Sequence, residues 1–236
     1  MIDRLRAQAD RMGVCLTETM GHQFKQYQEL LLDWNTRMNL TAITDPVAVQ
    51  DKHFLDSLSC IHALADAEGK RLIDIGTGAG FPGIPLKIAL PGVEVTLLDS
   101  LKKRVGFLNA VIDELGLTGI RAVHGRAEEC ARLPAYREQY DYAFARAVAR
   151  LNVLNEYCLP YVKVGGLFVS QKGTDYEQEL AEARRGLQVL GGQVERVIPV
   201  EIPDTDYTRV LILIRKLQPT PQKYPRQFSK IEKAPL

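Results

Sequence analysis

Hydrophobic positions follow two rhythms along this chain. Between Gly21 and Pro46, Phe24, Tyr27, Leu30, Leu31 and Trp34 recur at intervals of three and four, with almost no glycine or proline among them. That is the spacing of one buried helix face. A second helix is predicted from Val47 to about Ala65, so residues 1–66 read as a helical extension. After Gly69, short apolar runs alternate with helical stretches. Strands are predicted at 71–75, 93–98, 120–124, 140–145 and 167–171, and helices near 83–90, 102–115, 127–133, 151–162 and 176–190.

Such alternation makes parallel strands with crossover helices on both faces of an open sheet, and ligands of such sheets sit beyond the carboxyl ends of the strands. Residues 193–202 and 208–215 are two further strands. Their Pro203-Asp204-Thr205-Asp206 link is too short for a crossover, so they are predicted to pair as a hairpin. The fold class is therefore α/β: a mostly parallel seven-stranded sheet with one antiparallel strand over 67–216, plus the N-terminal helices.

Composition narrows the picture where it is uneven. The 236 residues suffice for one large domain with an appendage, and 30 Lys and Arg against 29 Asp and Glu make the average charge uninformative. Residues 1–69 carry six basic and ten acidic side chains, a balance of −4; residues 215–236 carry six basic ones and only Glu232, a balance of +5. With Pro219, Pro221, Pro225 and Pro235, the segment 217–236 reads as an extended basic tail that orders on contact. Cys15, Cys60, Cys130 and Cys158 are dispersed, which suggests reduced thiols and neither a zinc site nor a disulfide framework. No apolar run approaches the about 20 residues of a membrane span, and Met-Ile-Asp-Arg-Leu-Arg is no signal-peptide start, so a cytoplasmic protein is expected.

The most specific stretch is Asp74-Ile75-Gly76-Thr77-Gly78-Ala79-Gly80-Phe81-Pro82-Gly83. A strand run ending in alternate glycines builds a turn that ligands approach closely. Dinucleotide sites require G-x-G-x-x-G, but here the spacing is G-x-G-x-G, with Phe81 where the third glycine belongs. The P-loop pattern is missing as well. A carboxylate at Asp74 repels a pyrophosphate but suits an ammonium group or ribose hydroxyls, so S-adenosylmethionine fits better than NAD. Asp99, 23 residues after Gly76, stands where an acid takes ribose hydroxyls, and Gly125-Arg126-Ala127-Glu128 suits an adenine edge. The plainer reading makes Asp99 and Glu128 helix N-terminal acids favoured by the dipole.

These residues resemble a known family, the ribosomal RNA small subunit methyltransferase G family, also called the glucose-inhibited division protein B family. The resemblance runs through Asn39-Leu40-Thr41, His53 to Leu58, Asp74 to Leu86, Asp99 to Arg104, Gly125 to Glu128, Arg146-Ala147-Val148, Lys172-Gly173 and the terminal Pro-Leu. It implies a Rossmann-like S-adenosylmethionine-dependent fold and methyl transfer to guanine N7 of 16S ribosomal RNA, in the small subunit or an assembly intermediate, with no obligate protein partner. By the same resemblance, cofactor contacts fall on Gly76, Phe81, Ala127, Glu128 and Arg146, joined by Gly78 and Asp99 from the reading above. The tail departs from the family pattern, with Phe228 and Ile231 in place of small residues.

The residues agree with that chemistry. No polar-Pro-Pro-aromatic tetrad follows the fourth strand, which reads Phe144-Ala145-Arg146-Ala147-Val148, and Cys158 lies in a predicted helix, away from any catalytic loop. Guanine N7 has a free lone pair and no proton, so no acid or base is expected; Arg146 is the orienting candidate, or else a structural ion pair. His53, Asp56 and Ser57 share a helix face, either as a polar buttress or as a wall closing over the pocket. Asn39 and Thr41 read as caps. Arg126, Arg150 and Lys172, with Lys223, Arg226, Lys230 and Lys233 of the tail, are the RNA-binding candidates, which makes deletion of 217–236 expected to weaken RNA binding and spare the cofactor. Alternatives are a small-molecule or protein methyltransferase and a cofactor-binding regulatory module.

Overall fold

The predicted parallel core and terminal hairpin are both present in one seven-stranded sheet. The computed structural model describes residues 2–64 and 66–236; Met1 and Ala65, the expected end of the second helix, lie outside the described residues. Helices α1 (Ile2–Arg11) and α2 (Glu18–Asn35) come first, the latter capped by the Thr17 hydroxyl, which accepts from the Met20 amide. The second predicted helix is composite. It opens as α3 (Pro46–Val49), with Pro46 at its first turn and Asp45 as cap, continues as a π-helical stretch over Gln50–Leu55, and closes through α4 (Asp56–Leu58) and a 3-10 turn over Ser59–Ala63.

Strands β1 (Arg71–Ile75), β2 (Glu94–Asp99), β3 (Ile120–His124), β4 (Tyr140–Arg146) and β5 (Val162–Lys172) alternate with α5 (Gly83–Ala89), α6 (Lys102–Glu114), α7 (Ala127–Cys130) and α8 (Leu151–Cys158). After α9 (Glu177–Leu190) come β6 (Gly192–Glu201) and β7 (Thr208–Lys216), and a short α10 (Phe228–Lys233) lies near the C-terminus. Strand order is β3-β2-β1-β4-β5-β7-β6, with β7 antiparallel to both neighbours. The order reverses between β1 and β4, the position where open α/β sheets leave a crevice. Pro160 shortens the predicted helix 151–162, and β5 begins five residues earlier than expected, its pairing with β4 irregular next to Gly165 and Gly166.

Alternate side chains of the strands enter two cores. Leu72, Phe144, Val169 and Leu213 pack with the N-terminal helices, α5 and α6 on one face, while Ile73, Ala145, Phe168 and Ile212 pack with α8, α9 and the C-terminal segment on the other. Phe24, Tyr27, Leu31 and Phe54 are fully buried in the first core, each contributing roughly 1.5–3 kcal/mol. The helical extension is thus built into one face of the sheet that begins at β1. No described helix is long and apolar enough to cross a membrane.

The segment 217–236 corrects the expectation of an extended tail. Tyr224 and Ile231 are buried, Arg137 donates to the carbonyls of Thr220 (2.7 Å) and Tyr224 (2.9 Å), and Arg226 grips the buried Glu156 of α8. Composition alone gave no sign of these partners. The proline-rich chain is pinned because its own carbonyls are the acceptors.

Candidate functional site

At the carboxyl end of β1 the chain turns through left-handed backbone at Gly76 (φ +68°) and Gly78 (φ +62°), conformations that side chains rarely adopt. Asp74 does not face outward as the sequence reading expected. It is fully buried, and its Oδ2 accepts from the Thr77 hydroxyl (2.6 Å) and the Gly83 amide (2.8 Å), closing the turn onto the start of α5. Burial holds its carboxyl up at about 6, against these two bonds. From the helical extension, Tyr27 donates to the Ala79 carbonyl.

The Phe81 side chain also points away from the crevice. It is buried against α2 and the π-helical stretch, stacked on His53 at 4.5 Å, with the Arg146 guanidinium 5.0 Å from its ring centre. Any contribution of Phe81 to a ligand therefore comes through its backbone or through the position it gives Arg146.

Gly76, Ala127 and Glu128, three of the predicted cofactor residues, line one cavity of ≈ 200 Å³ together with Leu98, Val148 and Tyr157. Gly78, Phe81, Asp99 and Arg146 are not in that lining. Asp99, at the end of β2, is 2 % exposed and committed to backbone: Oδ2 accepts from the Gly78 amide at 2.9 Å and Oδ1 from the Leu101 amide at 2.8 Å. It ties the glycine turn to the entry of α6, with Arg104 3.5 Å from Oδ2, and Oδ1 keeps a further acceptor site. Glu128 is buried in the first turn of α7, 4.0 Å from Arg126.

Arg146 lies on the other side of the loop that follows β4. It bonds the Asp56 carboxylate at 2.7 Å and the Lys52 carbonyl at 3.2 Å, with His53 Nδ1 3.4 Å away. Asp56, 4 % exposed in its side chain, also accepts from Arg209 Nε (3.0 Å) and Gln171 Nε2 (3.0 Å). Asp56 thus joins the His53, Asp56 and Ser57 face to β4, β5 and β7, while the buried Ser57 hydroxyl donates to the His53 carbonyl. His53 and Asp56 also line a second cavity of ≈ 360 Å³, whose lining includes Lys52, Arg146, Lys172 and Arg209, with Asp56 its one carboxylate. His53 adds no charge near neutrality, because burial, and then Arg146, lower it to about 4.

The β4–α8 loop separates the two cavities. Ala147, in left-handed backbone (φ +55°), lines the cationic one, and Val148 and Ala149 line the smaller one. Backbone strain of this kind concentrates where structure over-determines a site.

The RNA candidates scatter more than the sequence implied. Arg226 is committed to Glu156, and Lys172 to the Ala149 carbonyl and Glu179, each at 2.7 Å, so neither is a free phosphate ligand. Arg150 pairs with Glu182 at 2.7 Å but stays exposed. Arg126 sits at the mouth of the smaller cavity, and Lys223, Lys230 and Lys233 are exposed on the C-terminal segment. Sequence reasoning missed Lys52 and Arg209 beside the cationic cavity, and Tyr157, Phe228 and Glu232 beside the other. None of these belongs to a motif; the fold alone gathers them.

Residues 20–207 match the family model described as rRNA small subunit methyltransferase G. Among curated relatives, a protein of Alkaliphilus oremlandii named ribosomal RNA small subunit methyltransferase G is 50% identical over 234 residues, covering 99% of this chain and 98% of its own length. One of the same name from Lachnoclostridium phytofermentans is 51% identical, covering 95% and 93%. Among solved structures, M. jannaschii TYW2 in complex with AdoMet aligns with a TM-score of 0.52 at 13% identity, covering 66% of this chain and 73% of that one. Geranyl diphosphate C-methyltransferase from Streptomyces coelicolor, solved with S-adenosyl-L-homocysteine, aligns with a TM-score of 0.53 at 15% identity, covering 68% and 78%. The fold is that of the Rossmann-like methyltransferases.

Proposed function

The chain belongs to the rRNA small subunit methyltransferase G family, and from that premise we propose that it transfers a methyl group from S-adenosylmethionine to N7 of one guanine in 16S ribosomal RNA. The observation that carries this reading is the pair of cavities divided by the β4–α8 loop, one narrow beside the glycine turn and one cationic. An acceptor in the small ribosomal subunit places the work in the cytoplasm.

The residues present fit the donor. A side chain on Gly78 would meet open space, which leaves room for a ligand to lie along the turn, and Gly76, Ala127 and Glu128 would hold its adenosine end. At ≈ 200 Å³ the cavity is smaller than the about 300 Å³ at which small-molecule sites begin, so it takes one end of the cofactor. When bound, S-adenosylmethionine supplies an activated methyl group on a cationic sulfur.

The chain's own work is positioning. Guanine N7 carries a lone pair and no proton, so the acceptor asks for no general base, and His53, lowered to about 4, is only a weak base and no proton donor at neutral pH. Lys52, Arg146 and Arg209 present positive charge to an RNA backbone, and Asp56 fixes the direction of two of them. Small subunits lacking the modification, incubated with the protein and methyl-labelled cofactor, should carry label at N7 of one 16S guanine. Label on protein or on a small molecule overturns the reading.

Gly76 supplies a second test. A Cβ there would lie 2.7 Å from Val148 Cγ2, in a backbone that alanine tolerates poorly. Gly76→Ala should weaken S-adenosylhomocysteine binding about tenfold, from about 1–3 kcal/mol of strain, measured by calorimetry. Val148→Ala in the same chain should recover part of the loss by removing the clash.

A further inference from the structure

Short as it is, α10 is fastened on three sides. The Arg226 backbone amide and guanidinium, just before the helix, bond Glu156, which is fully buried. Ile231 is buried in the second core, and the Glu232 carboxylate accepts from the Tyr157 hydroxyl at 2.8 Å. Against that anchoring, Phe228 stays 48 % exposed, with its ring 5.1 Å from the Arg126 guanidinium. Phe228 and Glu232 both line the ≈ 200 Å³ cavity, opposite Gly76 and Leu98. An exposed aromatic is ordinarily a loose surface residue. Here it is held by a pinned helix at the mouth of a cavity that nothing in the core requires.

Resting on the donor reading above, we infer that α10 is the outer wall of the cofactor site, with Phe228 packing on the adenine ring. An aromatic side chain with two torsions, on a helix already fixed, loses little freedom on contact, so most of its stacking energy survives as affinity. Arg126, on the other side of the Phe228 ring, keeps that ring in place and belongs to this wall. Glu232, held by Tyr157, closes the base of the helix. On this inference the C-terminal segment serves the cofactor as well, where the sequence expectation had its deletion spare cofactor binding.

The test is calorimetric titration of full-length protein with S-adenosylhomocysteine, beside melting without ligand and trypsin cleavage at Lys230. Phe228→Ala should raise the dissociation constant about tenfold, with Phe228→Trp near wild type. Because Phe228 is half exposed, ligand-free melting of the alanine variant should not move. In the wild type, ligand should slow cleavage at Lys230, since opening α10 then costs the bound contact. Affinity of Phe228→Ala within twofold of wild type overturns the inference while leaving the donor reading intact. Tighter binding makes α10 a plug and also overturns it. A wild-type protein that fails to bind overturns the donor reading and the inference together.

Discussion

Arg226→Ala should cost about 3–5 kcal/mol of folding stability, because it strands a buried carboxylate. Glu156 is fully buried in α8, and Arg226 reaches it with the backbone amide (2.6 Å), Nε (2.9 and 3.0 Å) and Nη2 (2.7 Å). The hydrogen bonds to the carboxylate in turn raise the Arg226 pKa. Side-chain exposure differs sharply between the partners, 23% for Arg226 and none for Glu156. The penalties should differ in the same sense: Glu156→Gln leaves an arginine that reaches water and costs less than the reverse deletion. Replacing both by apolar residues, Arg226→Met with Glu156→Leu, should recover most of the loss. Denaturant unfolding with unchanged m-values measures all three. An Arg226→Ala protein within about 1 kcal/mol of wild type removes the pair as the anchor of the C-terminal segment. Deleting 217–236 is a still larger lesion, since Lys216, fully buried, would also lose the Thr220 hydroxyl.

That segment marks where sequence stops being legible. Strands β1, β2 and β4 were readable because each buries both faces and reads as a continuous apolar run, and α2 because its buried residues keep one helical face. The glycine turn was readable because its backbone conformation admits almost no other residue. The Arg226–Glu156 and Tyr157–Glu232 contacts join positions 70 and 75 residues apart, and proline and lysine content says nothing of such partners. Asp74 and Asp99 have backbone partners the sequence did not show, for a related reason. An acid near a turn has the same local signature whether it faces a ligand or bonds the turn's amides, and here both spend at least one oxygen on backbone. The walls around the donor cavity are assembled from α7, α8, the β4–α8 loop and α10, and neither α8 nor α10 carries a motif.

Asp56→Ala should lower the single-turnover methylation rate on small subunits about 100-fold while leaving S-adenosylhomocysteine affinity within about twofold. The asymmetry follows from the two cavities. Asp56 lies only on the cationic side, where its oxygens hold Arg146 at 2.7 Å, Arg209 at 3.0 Å and Gln171 at 3.0 Å. Without it, two guanidinium groups face one another with no carboxylate between them and no fixed direction. Arg146 then leaves Phe81, over whose ring it lies, and the end of β4, where the β4–α8 loop begins, loses its tie through Asp56 to the helical extension. Asp56→Asn keeps one acceptor oxygen for an arginine and should fall in rate by about tenfold, between wild type and alanine. Both variants also lose stability, since the arginines are partly buried, but a merely structural loss would move melting and cofactor affinity together. A positioning role moves the rate and spares the affinity. Equal losses of rate and cofactor affinity, or an alanine variant within about threefold of the wild-type rate, would detach Asp56 from the acceptor side and leave it only as a buttress of the fold.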